Sequence, residues 1–475
     1  MLRSGLIIVF FLMISCKKKE DNRLLDLTTI AEKGTDTIPL YFNQDASQCF
    51  LKVKVSQKDQ YFVFDTGATF SIFNTLMNGQ QTGNKILFND ISGKNQYVNE
   101  ILIRDTISIG DVKILNGVFG EYDFSNTDGL IGGDILKNLV LELDFINRKM
   151  IIHGKSSDIS TLNMSVTEFK LKGSVPFVNI LINNTPVEFM LDTGFNGFAD
   201  INMRHISSIP FGENTVKENW QETSRLVSPF DAGNSSVKNL SKVITDIQIA
   251  DRVLKNEVII FEENLGTDKL GLDFLKRFDR VIIDYLEKRI YFGKTVYKSR
   301  YYHSEIRSGI NSNGIKLSNR AQTTVVSAVS EKFNNKISIG DTVVQINGNE
   351  TVNRNNSFYE DHVKKDSIVI YRHGLAKDTI VKYKKSAGLK CLLADFHYMR
   401  DSSEIVILRN GEKHRHNMIR SDYLFNLPDT IQDYYFEGLM DQCILKTLYK
   451  SWTPVVISSK KSTPGYFLYT ISESK

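Results

Sequence analysis

FLKVKVSQKDQYFVFDTG at residues 50–67 and FVNILINNTPVEFMLDTG at residues 177–194 align without a gap, 127 residues apart. Phe50 matches Phe177, Val53 matches Ile180, Val55 matches Ile182 and Phe62 matches Phe189. In each copy apolar and polar residues alternate, pause at a polar turn, alternate again and run into Asp-Thr-Gly. A period of two marks a strand with one buried face. Each copy therefore predicts a β-hairpin that delivers an aspartate at its end.

The match resumes downstream. Leu130-Ile131-Gly132-Gly133-Asp134-Ile135-Leu136-Lys137 parallels Lys269-Leu270-Gly271-Leu272-Asp273-Phe274-Leu275-Lys276. An apolar strand follows each, ending in Asp144-Phe145 and in Asp284-Tyr285. A basic pair and a last strand close each unit, Arg148 to Ile152 and Lys288 to Phe292. One unit spans 38–155 and its copy 166–297, and each carries one Asp-Thr-Gly. Between these landmarks lie polar, glycine-containing segments, Ser92 to Asn95 and Ser228 to Asn234, which read as hairpin tips. Asp134 and Asp273 read as caps of a short helix beginning at Ile135 and Phe274.

Two Asp-Thr-Gly turns in equivalent repeat positions, followed by an apolar-apolar-Gly motif at Leu130-Ile131-Gly132 and more loosely at Lys269-Leu270-Gly271, resemble the bacterial retropepsin-like aspartic proteases in their bilobal, single-chain form. The resemblance covers both units. It implies two pseudo-symmetric β-barrel lobes whose catalytic residues are Asp65 and Asp192. It further implies that Thr66 and Thr193 tie the two loops together through hydroxyl-to-backbone hydrogen bonds. Gly67 and Gly194 would permit the tight turns, Gly132 and Gly271 would let a second loop pass beneath each aspartate, and the hairpin tips would act as flaps. The copies also differ. Phe195 and Asn196 stand where the first loop has Ala68 and Thr69, and Lys269 takes a usually apolar position. The expected site is therefore not fully symmetric.

The chemistry of the residues agrees. Peptide hydrolysis without a metal needs an activated water and a proton donor for the carbonyl oxygen. Two carboxylates a few ångströms apart cannot both ionise, so they share a proton and one acts as base, the other as acid. A repeat with one aspartate per copy can place both on a pseudo-twofold axis, the single-chain counterpart of a symmetric dimer. No metal or cofactor is expected. The alternative from another class is a catalytically inactive peptide-binding lipoprotein that keeps the cleft.

The N-terminus suggests the compartment. Arg3 precedes the apolar run Leu6 to Ile14, which ends at Ser15-Cys16 and gives way to Lys17-Lys18-Lys19-Glu20-Asp21. The run is too short to span a bilayer as a helix. It resembles a bacterial lipoprotein signal peptide over 1–15, which implies cleavage before Cys16, lipid attachment at Cys16 and a tether over 16–37. The expected location is extracytoplasmic and membrane-anchored, on the periplasmic face or the cell surface. An oxidising compartment permits a Cys391–Cys443 disulfide, with Cys49 left over.

With 475 residues, 41% hydrophobic and 11% aromatic, the chain predicts several folded domains. A net charge of +4 and the lack of any nucleic-acid motif argue against a nucleic-acid partner. The expected partners are protein or peptide substrates.

Past a linker-like stretch at 298–310, the chain changes character. The strand-like runs at 314–317 and 324–329 precede Gly340-Asp341-Thr342-Val343-Val344-Gln345-Ile346-Asn347-Gly348. Further runs follow at 367–374 and 378–383. The order resembles a PDZ domain over 312–386, which implies peptide binding by strand addition. Residues 387–475 are expected to form a small α+β region. It contains a hairpin turn at Asn410-Gly411 and a helix from Asp433 to Leu448. His414 and His416 share a strand face but lack a carboxylate or cysteine at ligand spacing, so they read as a solvated edge.

Overall fold

The computed structural model describes residues 29–32, 35–42, 48–75, 79–89, 95–115, 117–124, 127–212, 215–223, 237–296, 314–320, 323–351, 359–362, 384–387, 402–419, 455–461 and 467–473. Outside them fall the leader at 1–15, Cys16, the two tips at 90–94 and 224–236, Cys391, Cys443 and the helix expected from Asp433 to Leu448. The chain is mainly β, with two helices of four residues each among the described residues, Gly133–Leu136 and Leu272–Leu275.

Both repeats form their hairpins. Cys49–Val55 pairs antiparallel with Lys58–Phe64, and Val175–Ile182 pairs with Thr185–Leu191. The turns use left-handed residues, Ser56 and Gln57 in one, Asn183 and Asn184 in the other. Such a pair of positive φ values suits a two-residue hairpin, because it twists in the same hand as the strands. The alternation becomes burial. Leu51, Val53 and Phe62 are fully enclosed, and their counterparts Val178, Ile180 and Phe189 are equally so. Each large side chain buried in this way is worth about 1.5–3 kcal/mol.

The order of strands around each hairpin is the same. Gly129–Ile131 lies parallel to Lys58–Phe64 and antiparallel to Ile72–Asn74. Gly117–Tyr122 lies parallel to Ile72–Asn74, and Asn95–Ile103 and Gln80–Asn89 continue the sheet. In the second lobe Lys269–Leu270 lies parallel to Thr185–Leu191 and antiparallel to Ala199–Asn202. Arg252–Glu262, Val237–Ile249 and Val216–Thr223 complete it.

A shared sheet joins the lobes. Its strands run in the order Asp36–Pro39, Lys149–His153, Val140–Asp144, Arg280–Asp284, Arg289–Phe292 and Ser165 to Glu168. At its centre Val140 pairs with Asp284 and Asp144 pairs with Arg280, with Glu142 opposite Ile282. This reciprocal register is that of a twofold interface, here closed within one chain. One hydrophobic core runs through both lobes, from Leu51 and Phe62 to Phe274 and Phe292.

The third unit has its own core around Ile315, Val326, Val343, Ile346, Ile405, Ile407 and Met418. Thr342–Ile346 pairs with Ser402–Arg409, which turns at Asn410-Gly411 into Glu412–Ile419. Segments that the sequence assigns to 312–386 and to 387–475 thus share one sheet. This unit is also bonded to the second lobe, because Thr323–Ser330 pairs with Val216–Thr223. Lys316 meets the buried Glu222 at 2.8 Å, and Ser330 Oγ donates to Glu218 at 2.6 Å. Trp220 packs with Leu240, Ile260 and Ala328 across the junction. Among the described residues no helix is long and apolar enough to cross a membrane.

Candidate active site

Each repeat hairpin ends in a loop that faces its counterpart. Strand Lys58–Phe64 runs into Asp65, whose amide donates to the Ile131 carbonyl at 3.1 Å. Strand Thr185–Leu191 runs into Asp192, whose amide donates to the Leu270 carbonyl at 2.8 Å. The aspartates are therefore fixed by the sheets beneath them and not by mobile loop contacts.

Four hydrogen bonds lock the loops together in reciprocal pairs. The Thr66 amide donates to Thr193 Oγ1 at 2.9 Å, and the Thr193 amide donates to Thr66 Oγ1 at 3.0 Å. Thr66 Oγ1 donates to the Leu191 carbonyl and Thr193 Oγ1 to the Phe64 carbonyl, both at 2.7 Å. Both threonines are buried, so every bond is made in a medium where leaving it unmade is costly.

The glycines set the separation. A Cβ on Gly67 would lie 2.5 Å from Asp192 Cγ, and a Cβ on Gly194 would lie 2.6 Å from Asp65 Cγ. Neither glycine has a positive φ. The sequence suggests that they ease the turn, but what they supply is room for the opposing carboxyl. Gly132 and Gly271 do the same one layer below. A Cβ there would meet the Phe70 carbonyl oxygen at 2.6 Å or the Gly197 carbonyl oxygen at 2.2 Å.

The carboxyls are held as hydrogen-bond acceptors. Asp65 Oδ1 receives the Gly67 amide at 2.9 Å and the Ala68 amide at 3.1 Å. Asp192 Oδ1 receives the Phe195 amide at 2.9 Å. Asp192 is buried, whereas Asp65 keeps partial solvent access at the surface of the site. Desolvation pushes the Asp65 carboxyl well above the ordinary carboxylate range, and the negative charge of Asp192 pushes it further. Desolvation also raises Asp192, but the Lys269 ammonium opposes the rise. The hydrogen bond between the carboxyls acts in the same sense, favouring the proton on Asp65 and the charge on Asp192. Such a pair holds one proton over a wide pH range, which is what joint acid and base catalysis needs.

The surrounding residues include one correction. Asp134 and Asp273 do not cap their helices. The N-cap positions are Gly132 and Gly271, with no side-chain cap bond, and each aspartate sits inside the first turn. Asp134 instead accepts from Ser71 Oγ at 2.7 Å, while Gly132 donates its amide to the same hydroxyl at 3.0 Å. Burial raises the Asp134 carboxyl to about 6. Ser71 is a supporting residue that the repeat alignment leaves hidden, because its counterpart is Phe198, whose backbone carbonyl takes over the bond to the Gly271 amide. Asp273 sits 3.6 Å from Lys276. Cys49 is buried in the first lobe with its thiol pushed up to about 12, far from reactive. Among the described residues no group of three or more His, Cys, Asp and Glu could hold a metal ion.

The sequence matches no family model and no curated protein. Among solved structures, the chain is similar to the aspartic proteinase from Irpex lacteus, with 14% identity and a TM-score of 0.38, over 56% of this chain and 98% of that one.

Proposed function

We propose that this chain is an aspartic endopeptidase that hydrolyses peptide bonds of protein or peptide substrates with a water activated between Asp65 and Asp192. The observation that carries the reading is the abutting carboxyl pair, held by two loops whose threonines bond reciprocally. The ionised member takes a proton from water as the water oxygen attacks the scissile carbonyl. The protonated member gives its proton to the carbonyl oxygen. The tetrahedral diol then collapses, with a proton passing to the leaving nitrogen. Both halves of the site come from one chain, so no second copy is needed.

In this reading the enzyme works outside the cytoplasm, tethered through lipid on Cys16, and the module that begins near residue 314 presents or selects substrates. Lipidation is checked by labelled-palmitate incorporation and membrane fractionation. A Cys16→Ser variant that still takes up label would rule it out.

The activity is tested by digesting a diverse peptide pool with the soluble form beginning at Lys17, from acid to neutral pH, beside Asp65→Asn and Asp192→Asn. Cuts made by the wild type and missing from both variants support the peptidase. A folded wild type that gives only the variants' background supports the peptide-binding alternative.

A further inference from the structure

The two lobes differ in charge directly behind the aspartates. In the first lobe Leu130 pairs across the sheet with Ile72, and Gly129 with Phe73. In the second, Lys269 pairs directly with Asp200, and both are buried, at 0% and 1% exposure. Directly opposed residues of an antiparallel pair project from the same face, so the two side chains leave the sheet on one side. Lys269 Nζ also stands 4.5 Å from the centre of the Phe195 ring, and the Phe195 amide is the one that holds Asp192 Oδ1. The next residue, Leu270, supplies the carbonyl that receives the Asp192 amide.

An ammonium in this position is expensive unless carboxylates face it. Leu130 shows that an aliphatic side chain serves the sheet at the equivalent position. We infer that Lys269, buried over the Phe195 ring, polarises the dyad, making Asp192 the ionised member that activates water and Asp65 the member that carries the proton. This deepens the peptidase reading and rests on it for the words "activates water"; the charge assignment itself does not. Lys269 is thus a positioning residue that acts through Asp192.

Other titratable groups lie within the same environment. Asp65 faces Asp192 across the axis. Asp268 immediately precedes the strand of Lys269, and its oxygens meet the Asn202 amide at 2.6 Å and His205 Nε2 at 3.0 Å. Burial pushes the Tyr285 hydroxyl up, so it stays neutral. Strand Thr185–Leu191 brings Met190 beside Lys269 and no charge. Lys269 is therefore the cation that breaks the balance between the two aspartates. The effect on Asp192 has the matching sign, since the ammonium lowers its affinity for a proton.

The test uses the whole mature chain, carrying Cys16→Ser so that it stays in solution, with carboxyl-labelled aspartate. Carbon NMR titration, assigned with Asp65→Asn and Asp192→Asn, reads each carboxyl separately, which a rate profile cannot do for a coupled pair. In the wild type Asp192 is expected to ionise at the lower pH. Lys269→Met moves that step up by about one pH unit or more, and Lys269→Arg leaves it in place. The acid limb of kcat/KM on a cleaved peptide moves up with it in Lys269→Met, about tenfold in rate at a fixed acid pH.

Ionisation of Asp65 first, or a Lys269→Met titration that does not move, overturns the inference. So does a lower rate with an unshifted profile, which is the mark of a structural role. If Lys269→Met does not fold, the order of ionisation in the wild type decides. An asymmetric titration in a protein that cuts no peptide upholds the charge assignment and sinks the peptidase reading.

Discussion

Behind Asp65 the first lobe places Leu130 and Phe73, with Asn138 just past its short helix; behind Asp192 the second places Lys269 and Asp200, with Arg277 just past its helix. Yet the loops in front bond in the same pattern, threonine to threonine and strand amide to strand carbonyl. The difference shows where a duplicated fold has freedom. Residues that touch both loops must satisfy the twofold geometry, so Asp, Thr and Gly appear in both copies. One layer back, the copies have filled equivalent positions with different chemistry.

The largest expected effect separates the lobes. Arg277 is fully buried and grips the buried Glu257 with two bonds, at 2.7 and 2.8 Å. Arg277→Met leaves that carboxylate uncompensated and is expected to destabilise the protein by about 3–5 kcal/mol in urea unfolding. Asn138→Ala, at the matching place in the first lobe, loses one bond at 3.2 Å to the Asp134 carbonyl and should cost much less. Equal losses would show that the buried Arg277–Glu257 pair carries no more of the fold than the single Asn138 bond.

The next effect should be the same in both lobes. Thr66→Val leaves the Thr193 amide and the Leu191 carbonyl unpaired, and Thr193→Val leaves the Thr66 amide and the Phe64 carbonyl. Each variant is expected to lose about 2–6 kcal/mol, at about 1–3 kcal/mol per buried group. A loss in one variant alone would break the reciprocity. Gly67→Ala and Gly194→Ala probe the same symmetry through activity. The added methyl must displace the opposite carboxyl, with a fall of about 100-fold in kcat/KM for either variant.

The smallest effect is confined to the first lobe. Asp134 has a folded-state pKa of about 6, above its value of 3.8 in the unfolded chain. A raised carboxyl favours the folded state fully below the unfolded value, and that contribution is lost as the pH rises through the folded one. Asp134→Asn should therefore remove part of the fall in stability between about pH 4 and pH 6, on the order of 1–3 kcal/mol. An identical slope in wild type and variant would place the titration elsewhere.

Much of this could be read from the sequence, because the repeat supplies its own control. Alternation in 50–64 and 177–191 gives the hairpins, and Asp-Thr-Gly at their ends gives the paired aspartates. What stayed hidden depends on register and on long-range contact. Asp200 lies eight residues past Asp192, opposite Phe73 in the alignment, but only the strand pairing puts it against Lys269. Ser71 supports Gly132 and Asp134 through a hydroxyl for which the second copy substitutes backbone. The helix caps depart from the expectation because an acidic residue in a first turn looks the same in sequence as one at the cap. The bond between Val216–Thr223 and Thr323–Ser330 joins segments more than a hundred residues apart, with a linker-like stretch between them. No local pattern reports such a pairing.

The shared-proton dyad itself is tested most directly by kcat/KM on one cleaved peptide for Asp65→Asn, Asp192→Asn and the double variant. Neither carboxyl can serve as acid and base alone. Each single variant should therefore lose as much as the double, about 1,000-fold or more. A single variant that stays within tenfold of the wild type, or single losses that multiply to give the double, would contradict it.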